Sequence, residues 1–567
     1  MKEEISFEEA PPWVALITAL VGGCWRLFQL GTKGMWLDET FSVWLANQGV
    51  GEMLSWMAMI DQHPPLYYLL LHGWVAQYGD TPYYARLFSA LFGIATIPLL
   101  YLTGKRMAGR WVGLAAAALL AFSPFHIYYA QEARMYTLLT FNAAVAMYAL
   151  IRLLSDGRAS QPIGGQLREY WHTWRTAGPA EPAPEEGFRY RVAPPQRGLR
   201  AWIYRHRWSP IRTIETDLAW IALIVFSAAT LLTHNTAIFF LAATNLFILG
   251  LMLYQRVKKS AAQPAFQAPS LANWAKAQIG ILILWSPWIP AFIQQARRVD
   301  QAFWIPKPTW EIIAQTLRTF LNAGAPDTTS ETIILWMMAA MLGLGLVYFR
   351  KKLSIFFFLA TLWAVPFLGE LLVSLRRPIF YDRTLIWITI PMLLLLAAGI
   401  GQLRFRALMV VMLGVFATNY VFSTGDYYRW YQKENWRSAA GFLAYYAEND
   451  DLVLFNSNFV VIPFDYYFKT WEDEYRLEVE KQGVPMDLYK EYVLEPIMTQ
   501  DDIPWLITMI RGRERVWLVY SHDSYTDPQG LIPQTLGAWM RLILLVAPVA
   551  LDQLGAEPIR AAILRTG

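Results

Sequence analysis

Charge is scarce in this chain. Asp, Glu, Lys and Arg make up 16% of its 567 residues, against about a quarter in an ordinary soluble domain, while 55% are hydrophobic and 15% aromatic. That deficit excludes a solvated globular protein and indicates a chain that crosses a bilayer repeatedly. Cysteine is nearly absent. Cys24 is the only one, which rules out an intrachain disulfide and a cysteine-based metal site. The net charge of +4 is too small to suggest a nucleic-acid surface. The acidic start, MKEEISFEEA, does not read as a cleavable signal, so the first apolar run is expected to stay as a span. No solenoid-type repeat is found.

Long apolar runs are plentiful. Eleven span candidates fall at 12–30, 83–104, 111–128, 135–153, 217–233, 236–254, 274–292, 332–349, 354–374, 384–402 and 406–422. Their basic flanks decide the orientation. Lys105, Arg106 and Arg110, the Arg-rich stretch 152–212, Arg256 with Lys258 and Lys259, Arg350 with Lys351 and Lys352, and Arg404 with Arg406 all fall on one face, read as cytoplasmic. The N-terminus is then inside, and 31–82, 124–134, 234–235, 293–331, 375–383 and everything after 423 lie outside. Residues 64–78 fix the parity. They are apolar but too short to span, so they are expected to form a juxtamembrane helix opened by Pro64 and Pro65, with Asp61 or Gln62 near the cap. With a second helical pattern around 40–58, this helix would roof the space beside Asp38.

Two stretches break the apolar pattern. Residues 155–216 hold ten Arg and six acidic residues around GPAEPAPEEG, and read as a poorly ordered cytoplasmic loop. From 424 to 567 strand-like runs (451–456, 516–520) mix with helix-like ones (436–447, 503–511). The expectation is a transmembrane unit over 1–423 and a small α/β domain outside the membrane over 424–567.

Chemistry concentrates on the outer face. GMWLDETFSVWL at 34–45 sets Asp38 and Glu39 among Trp36, Phe41 and Trp44 just after the first span. Such aromatics favour the membrane–water interface. A carboxylate held at that depth is partly desolvated and can act as a general base. Nearby in the same outer layer are His63, Arg86, and His126, Tyr128, Tyr129, Gln131, Glu132, Arg134 and Tyr136 of SPFHIYYAQEARMY, then His234 and Asn235. Each has an ordinary alternative: satisfied interfacial histidines at 126 and 234, a snorkelling or paired Arg26, and a Glu132–Arg134 pair at the membrane edge. Cations also stand on the unexpected side. Arg297, Arg298 and Lys307 lie near Phe303 and Trp304, and Arg376, Arg377 and Arg383 near Phe380 and Tyr381. Arginine forks interleaved with aromatics suit a lipid phosphate.

The runs WLDETFSVWLA, HPPLYYLLLHGW, ARLFSALFG and SPFHIYYAQEARMYTLL closely resemble bacterial protein O-mannosyltransferase-like glycosyltransferases, a branch of the GT-C integral-membrane fold that includes the aminoarabinose transferases of lipid A. The dense resemblance covers 34–141 and a looser one continues through Thr233-His234, FWIP at 303–306, RRPIFYDR, NWRSAAGFL and DLVLFN. The loop at 155–216 is longer than the family pattern. The resemblance implies an α-helical polytopic protein of about eleven spans with outer juxtamembrane helices and a small C-terminal α/β domain. It implies an enzyme of the bacterial cytoplasmic (inner) membrane, its active site on the extracytoplasmic face, that moves a sugar from a polyprenyl-phosphate carrier to an acceptor hydroxyl of a protein or glycolipid by one inverting displacement. By that analogy Asp38 is the general base and Glu39 orients it or the acceptor. Arg86 and Arg134 meet the leaving phosphate, with Arg383 and Arg297 as further candidates, and His63, Tyr129 and Glu132 line the sugar pocket. No cofactor is expected. The related oligosaccharyltransferases use a divalent metal, but the second outer loop offers Gln131-Glu132 where a metal would want two carboxylates. The other readings are a lipid-linked sugar flippase and a surface-glycan ligase. Against the flippase stand the absence of an inverted repeat and the gathering of acids at one face. The ligase would differ in using a pyrophosphate-linked donor.

Overall fold

The computed structural model describes residues 12–59, 63–155, 157–176, 215–257, 265–298, 305–322, 329–491, 493, 495–546 and 560–565. Its first part runs through α1 (Pro12–Leu27), α2 (Leu37–Asn47), α3 (Val50–Met59), α4 (Leu66–Tyr78), α5 (Pro82–Ala108), α6 (Arg110–Phe122), α7 (Pro124–Ala130) and α8 (Tyr136–Ser155). Long helices follow at Glu215–Leu231, Ile238–Val257, Leu271–Trp285, Thr329–Phe349, Leu353–Ser374, Thr389–Ile400 and Arg406–Arg429. Every one of the eleven apolar runs is thus helical. Among the described residues eight helices are long and apolar enough to cross a membrane, nine if α6 and α7 count as one bent span. The other two expected spans are α1, with 16 residues, and Glu215–Leu231, with 17; each abuts residues outside the described set.

Local chemistry sets these boundaries. The helix α5 starts where Thr81 caps Tyr84 N ahead of Pro82, and ends with Lys105 and Arg106 before Gly109, whose φ is +97°. The expected juxtamembrane helix is α4, 13 residues long. Its N-cap is Pro65, which has no side chain to cap with, and Leu66 N instead donates to Leu232 O at 2.9 Å. Asp61 and Gln62 lie outside the described residues. Of the 155–216 loop, 177–214 including GPAEPAPEEG is also outside, while Gly165–Thr176 forms a helix.

The break between α6 and α7 turns the chain by 57° at Ser123-Pro124. Proline has no N–H for the carbonyl four residues earlier. Arg26 supplies donors there: Nη2 reaches Leu120 O and Nη1 reaches Ala121 O, both at 3.0 Å, with Nη1 also on Gly22 O at 2.9 Å. Arg26 is fully buried, so it does not snorkel, and among the described residues its hydrogen bonds go to carbonyls and not to an acid; it closes the bend. Elsewhere small residues let helices touch. A Cβ on Gly399 would come within 1.7 Å of Met341 O, so helices Thr329–Phe349 and Thr389–Ile400 meet backbone to backbone.

Residues 436–565 build a five-stranded sheet in the order β2-β1-β3-β5-β4, from β1 (Leu452–Asn456), β2 (Glu480–Gly483), β3 (Arg515–Tyr520), β4 (Arg541–Val546) and β5 (Arg560–Arg565). The strands β2, β1 and β3 run parallel, with Leu452 opposite Glu480 and Val516. β5 is antiparallel to both β3 and β4. The helices Trp436–Tyr446, Val461–Tyr475, Ile503–Ile510 and Leu531–Trp539 join them. The parallel strands β1 and β3 are buried along their whole length, as continuous apolar runs require.

Candidate active site

A short helix carries the two acids. Trp36 and Leu37 open α2, so Asp38 and Glu39 fall in its first turn, where the helix dipole favours negative charge. The two side chains then part. Glu39 is fully buried, whereas a quarter of the Asp38 side chain stays exposed.

Glu39 is surrounded by four donors. Arg86 Nε meets Oε1 and Nη2 meets Oε2, both at 2.7 Å; Ala133 N reaches Oε1 and Lys433 Nζ reaches Oε2, both at 2.9 Å. Burial pushes this carboxyl up, but Arg86 and Lys433 outweigh burial and hold it well below the usual carboxylate range. Arg86 also donates to Leu30 O, Lys33 O and Gly34 O at 3.1, 2.8 and 2.8 Å. All five of its N–H groups therefore end on this chain, and it ties the loop before α2 to α5.

Asp38 faces the remaining two arginines. Arg383 Nη1 donates to Oδ2 at 3.1 Å, and Arg134 Nη2 stands 3.8 Å from the same oxygen. Burial raises the Asp38 pKa, yet Arg134, Arg383 and His63 bring it below the ordinary value. Arg134 Nη1 also reaches Asp38 O, Ser42 Oγ and Tyr68 Oη at 3.2, 3.2 and 3.4 Å. The Arg383 guanidinium lies over the rings of Tyr381 and Tyr136, 4.8 and 5.6 Å from their centroids.

Glu132 is buried with Lys433 Nζ 3.4 Å from its Oε1 and no hydrogen-bond partner on Oε2. Burial raises its pKa, against the pull of Lys433. The Glu132–Arg134 pair considered from the sequence does not form: one turns to Lys433, the other to Asp38. Tyr129 packs between Tyr128 and Tyr136, with centroids 4.9 and 5.0 Å away. His63 is half-buried and meets the His234 ring edge-on at 5.5 Å. His126 is buried on Thr389 Oγ1 at 2.7 Å, and His234 Nδ1 is 2.9 Å from Thr236 Oγ1. Arg297 is an exposed residue of the helix Ile289–Arg298, and no described contact joins it to Asp38. The Arg298 side chain, Phe303 and Trp304 lie outside the described residues. A cavity of about 660 Å³ opens beside Arg383, lined by Trp310, Ile312, Thr316, Arg318, Tyr381 and Asp382 among others. Among the described residues no group of three or more His, Cys, Asp or Glu could hold a metal ion.

Sequence reasoning missed Lys433 and Glu434. They come from the link into the sheet, with Lys433 394 positions from Glu39. Glu434 Oε2 accepts from Leu37 N at 3.2 Å and Trp436 Nε1 at 2.6 Å. A charged pair in QKEN carries no signal that it folds back on another helix.

The chain superposes on solved structures over nearly its whole length. ArnT from Cupriavidus metallidurans in the apo state matches with TM-score 0.57 and 11% identity, over 97% of each chain. The same protein bound to undecaprenyl phosphate matches with TM-score 0.54 and 11% identity, over 98% of each. The chain therefore shares the fold of these ArnT structures, in keeping with the sequence resemblance. Residues 62–164 match the sequence model of the dolichyl-phosphate-mannose-protein mannosyltransferase family. No curated protein matches the chain.

Proposed function

We propose that this protein is an inverting glycosyltransferase that moves a sugar from a polyprenyl-phosphate carrier to an acceptor hydroxyl. One observation carries the reading: Asp38 is the only partly exposed carboxylate of an ion-paired cluster, and two arginines flank it. Asp38 pairs with Arg134 and Arg383, and beside that group Glu39 and Glu132 pair with Arg86 and Lys433. Around Asp38 two arginines face one carboxylate, which suits an added anion such as a phosphate. The relative with undecaprenyl phosphate bound supports the same donor class.

The chemistry follows from the geometry. Arg134 and Arg383 keep Asp38 ionised but also weaken it as a base. A donor phosphate competes for the same forks. As it draws Arg383 away, Asp38 loses a cation and its affinity for a proton rises. The acceptor hydroxyl approaches on the exposed side of Asp38 and gives up its proton as its oxygen attacks the anomeric carbon. The bond to phosphate breaks on the opposite face, and the arginines stabilise the charge left there. Glu39 and Arg86 position the helix. Tyr129, Glu132 and His63 are the proposed sugar-pocket residues.

Orientation follows from where the helices end. Asp38, Arg86, Arg134 and Arg383 gather at one end of the bundle, while Lys105, Arg106, Arg152, Arg350 and Arg404 close helices at the other. Basic ends favour the cytoplasm, so the active site faces out of the cell. The test is to incubate purified protein with a panel of polyprenyl-phosphate sugars and a mixed acceptor extract. Consumption of one of them, with release of polyprenyl phosphate, is the expected result. Consumption only of a pyrophosphate-linked oligosaccharide would move the protein to the ligase class, and consumption of neither would overturn the reading.

A further inference from the structure

The link between the last membrane helix and the sheet is the strangest part of the site. Residues 430–435 form no regular element, yet Lys433 and Glu434 are both buried. Each holds the first turn of α2 from a different side. Lys433 bridges Glu39 and Glu132. Glu434 accepts from Leu37 N, one of the N–H groups that a helix start leaves without an internal partner. Trp36, the N-cap residue, makes no side-chain cap of its own, so Glu434 acts as a cap supplied from a distant part of the chain. Its other oxygen stands 3.7 Å from His522 Nε2, just beyond the end of β3. Tyr467, on the helix Val461–Tyr475, accepts from Met35 N at 2.6 Å.

We propose that this link is a positioning clasp, through which the C-terminal α/β portion sets the direction of Asp38. The inference rests on Asp38 being the base of the proposed reaction. Neither clasp residue touches the exposed side of Asp38; they act through Leu37 and Glu39. The bonds fix the N–H of the residue directly before Asp38 and the side chain of the residue directly after it, so losing either lets the first turn of α2 rotate. The donor contacts are carried from outside α2, by Arg134 in the turn between α7 and α8 and by Arg383 in the 3-10 turn Asp382–Ile388. The clasp therefore governs turnover and leaves donor affinity alone.

The test uses the full-length protein in lipid nanodiscs, with Lys433→Arg, Lys433→Met, Glu434→Gln, Glu434→Ala and Asp38→Asn side by side. Glu434→Ala and Lys433→Met should lower kcat about tenfold or more with an unchanged KM for the lipid donor. Glu434→Gln keeps an oxygen for Leu37 N, and Lys433→Arg keeps the charge, so each should recover part of the loss. Amide exchange across 34–45 should speed up in Glu434→Ala. Wild-type kcat in Glu434→Gln and Glu434→Ala, with Asp38→Asn inactive, overturns the clasp and leaves the base intact. If alanine does not fold, equal KM increases and no kcat change in the Gln and Arg variants overturn it as well. An active Asp38→Asn instead overturns the assignment of the base.

Discussion

Asp38 and Glu39 are neighbours with opposite physical duties. Asp38 keeps an exposed face beside its two arginine partners, so Asp38→Asn removes a base without opening the core. It should fold, unfold at the wild-type temperature and turn over at least about a hundredfold more slowly. Glu39→Gln is a different lesion. It leaves Arg86 and Lys433 buried beside a neutral amide, and breaking a buried pair in this way costs about 3–5 kcal/mol. The expected outcome is a large fall in unfolding temperature, measured in detergent, before any effect on chemistry is visible. A stable Glu39→Gln with normal packing would show that the pair is not holding the fold. The pH dependence has a definite sign. The folded-state pKa of Glu39 lies below its unfolded value, so its stabilisation is complete above about pH 4 and is lost as pH falls through the lower folded value. Glu132 is raised by burial and works the other way, its contribution being lost as pH rises through the folded value. Asp38 and Glu39 were legible as a site because an acid pair among interfacial aromatics is a local signal. Their division of labour was not, because it depends on Arg86 and Lys433, 47 and 394 positions away from Glu39.

At the scale of elements, apolar length was the readable quantity. Each of the eleven runs is helical near its expected place, because a helix needs only a local run of apolar residues, but 111–128 divides into α6 and α7, and among the described residues eight helices, nine with that bent pair, are long and apolar enough to cross. The α4 helix was legible for the same reason, being too short to cross. The bend between α6 and α7 was half-legible. Pro124 announces a break, but its donor, Arg26, looked like a snorkelling residue until the bonds to Leu120 O and Ala121 O were seen. In the sheet, β1 and β3 were readable as apolar runs, while β2, with the sequence EKQG, gives no strand signal and forms by pairing with β1. These relations make the bend testable. Arg26→Met removes the side-chain donors at Ala121 O and Leu120 O, the latter keeping only Ser123 N at 3.3 Å, and should lower stability by about 1–3 kcal/mol. Pro124→Ala restores the missing N–H toward Leu120 O, so in that background Arg26→Met should cost less. A double-mutant cycle read by thermal unfolding gives the coupling. Additive losses would mean that the arginine and the proline act independently.

For the whole molecule the remaining question is which end faces which side. The bundle is polarised. Lys105, Arg106, Arg152, Arg350 and Arg404 stand at helix ends away from α2, and the sheet rests on the α2 side through Glu434, Tyr467 and Lys433. Since basic loops are retained in the cytoplasm, the sheet and Asp38 should lie outside, and the helix Gly165–Thr176 inside. Two exposed positions separate the alternatives: His172 on that helix and Asp473 on the helix Val461–Tyr475. In a Cys24→Ser background, which removes the only native thiol, a cysteine at 473 should react with a membrane-impermeant maleimide in cells whose cytoplasmic membrane is intact. A cysteine at 172 should react only after permeabilisation. The donor argument depends on the result, because a carrier presented in the outer leaflet can meet Arg383 only if that end of the bundle faces outward. Labelling at 172 but not at 473 would reverse the molecule, put the arginine-flanked carboxylate in the cytoplasm and require a sugar donor presented in the inner leaflet.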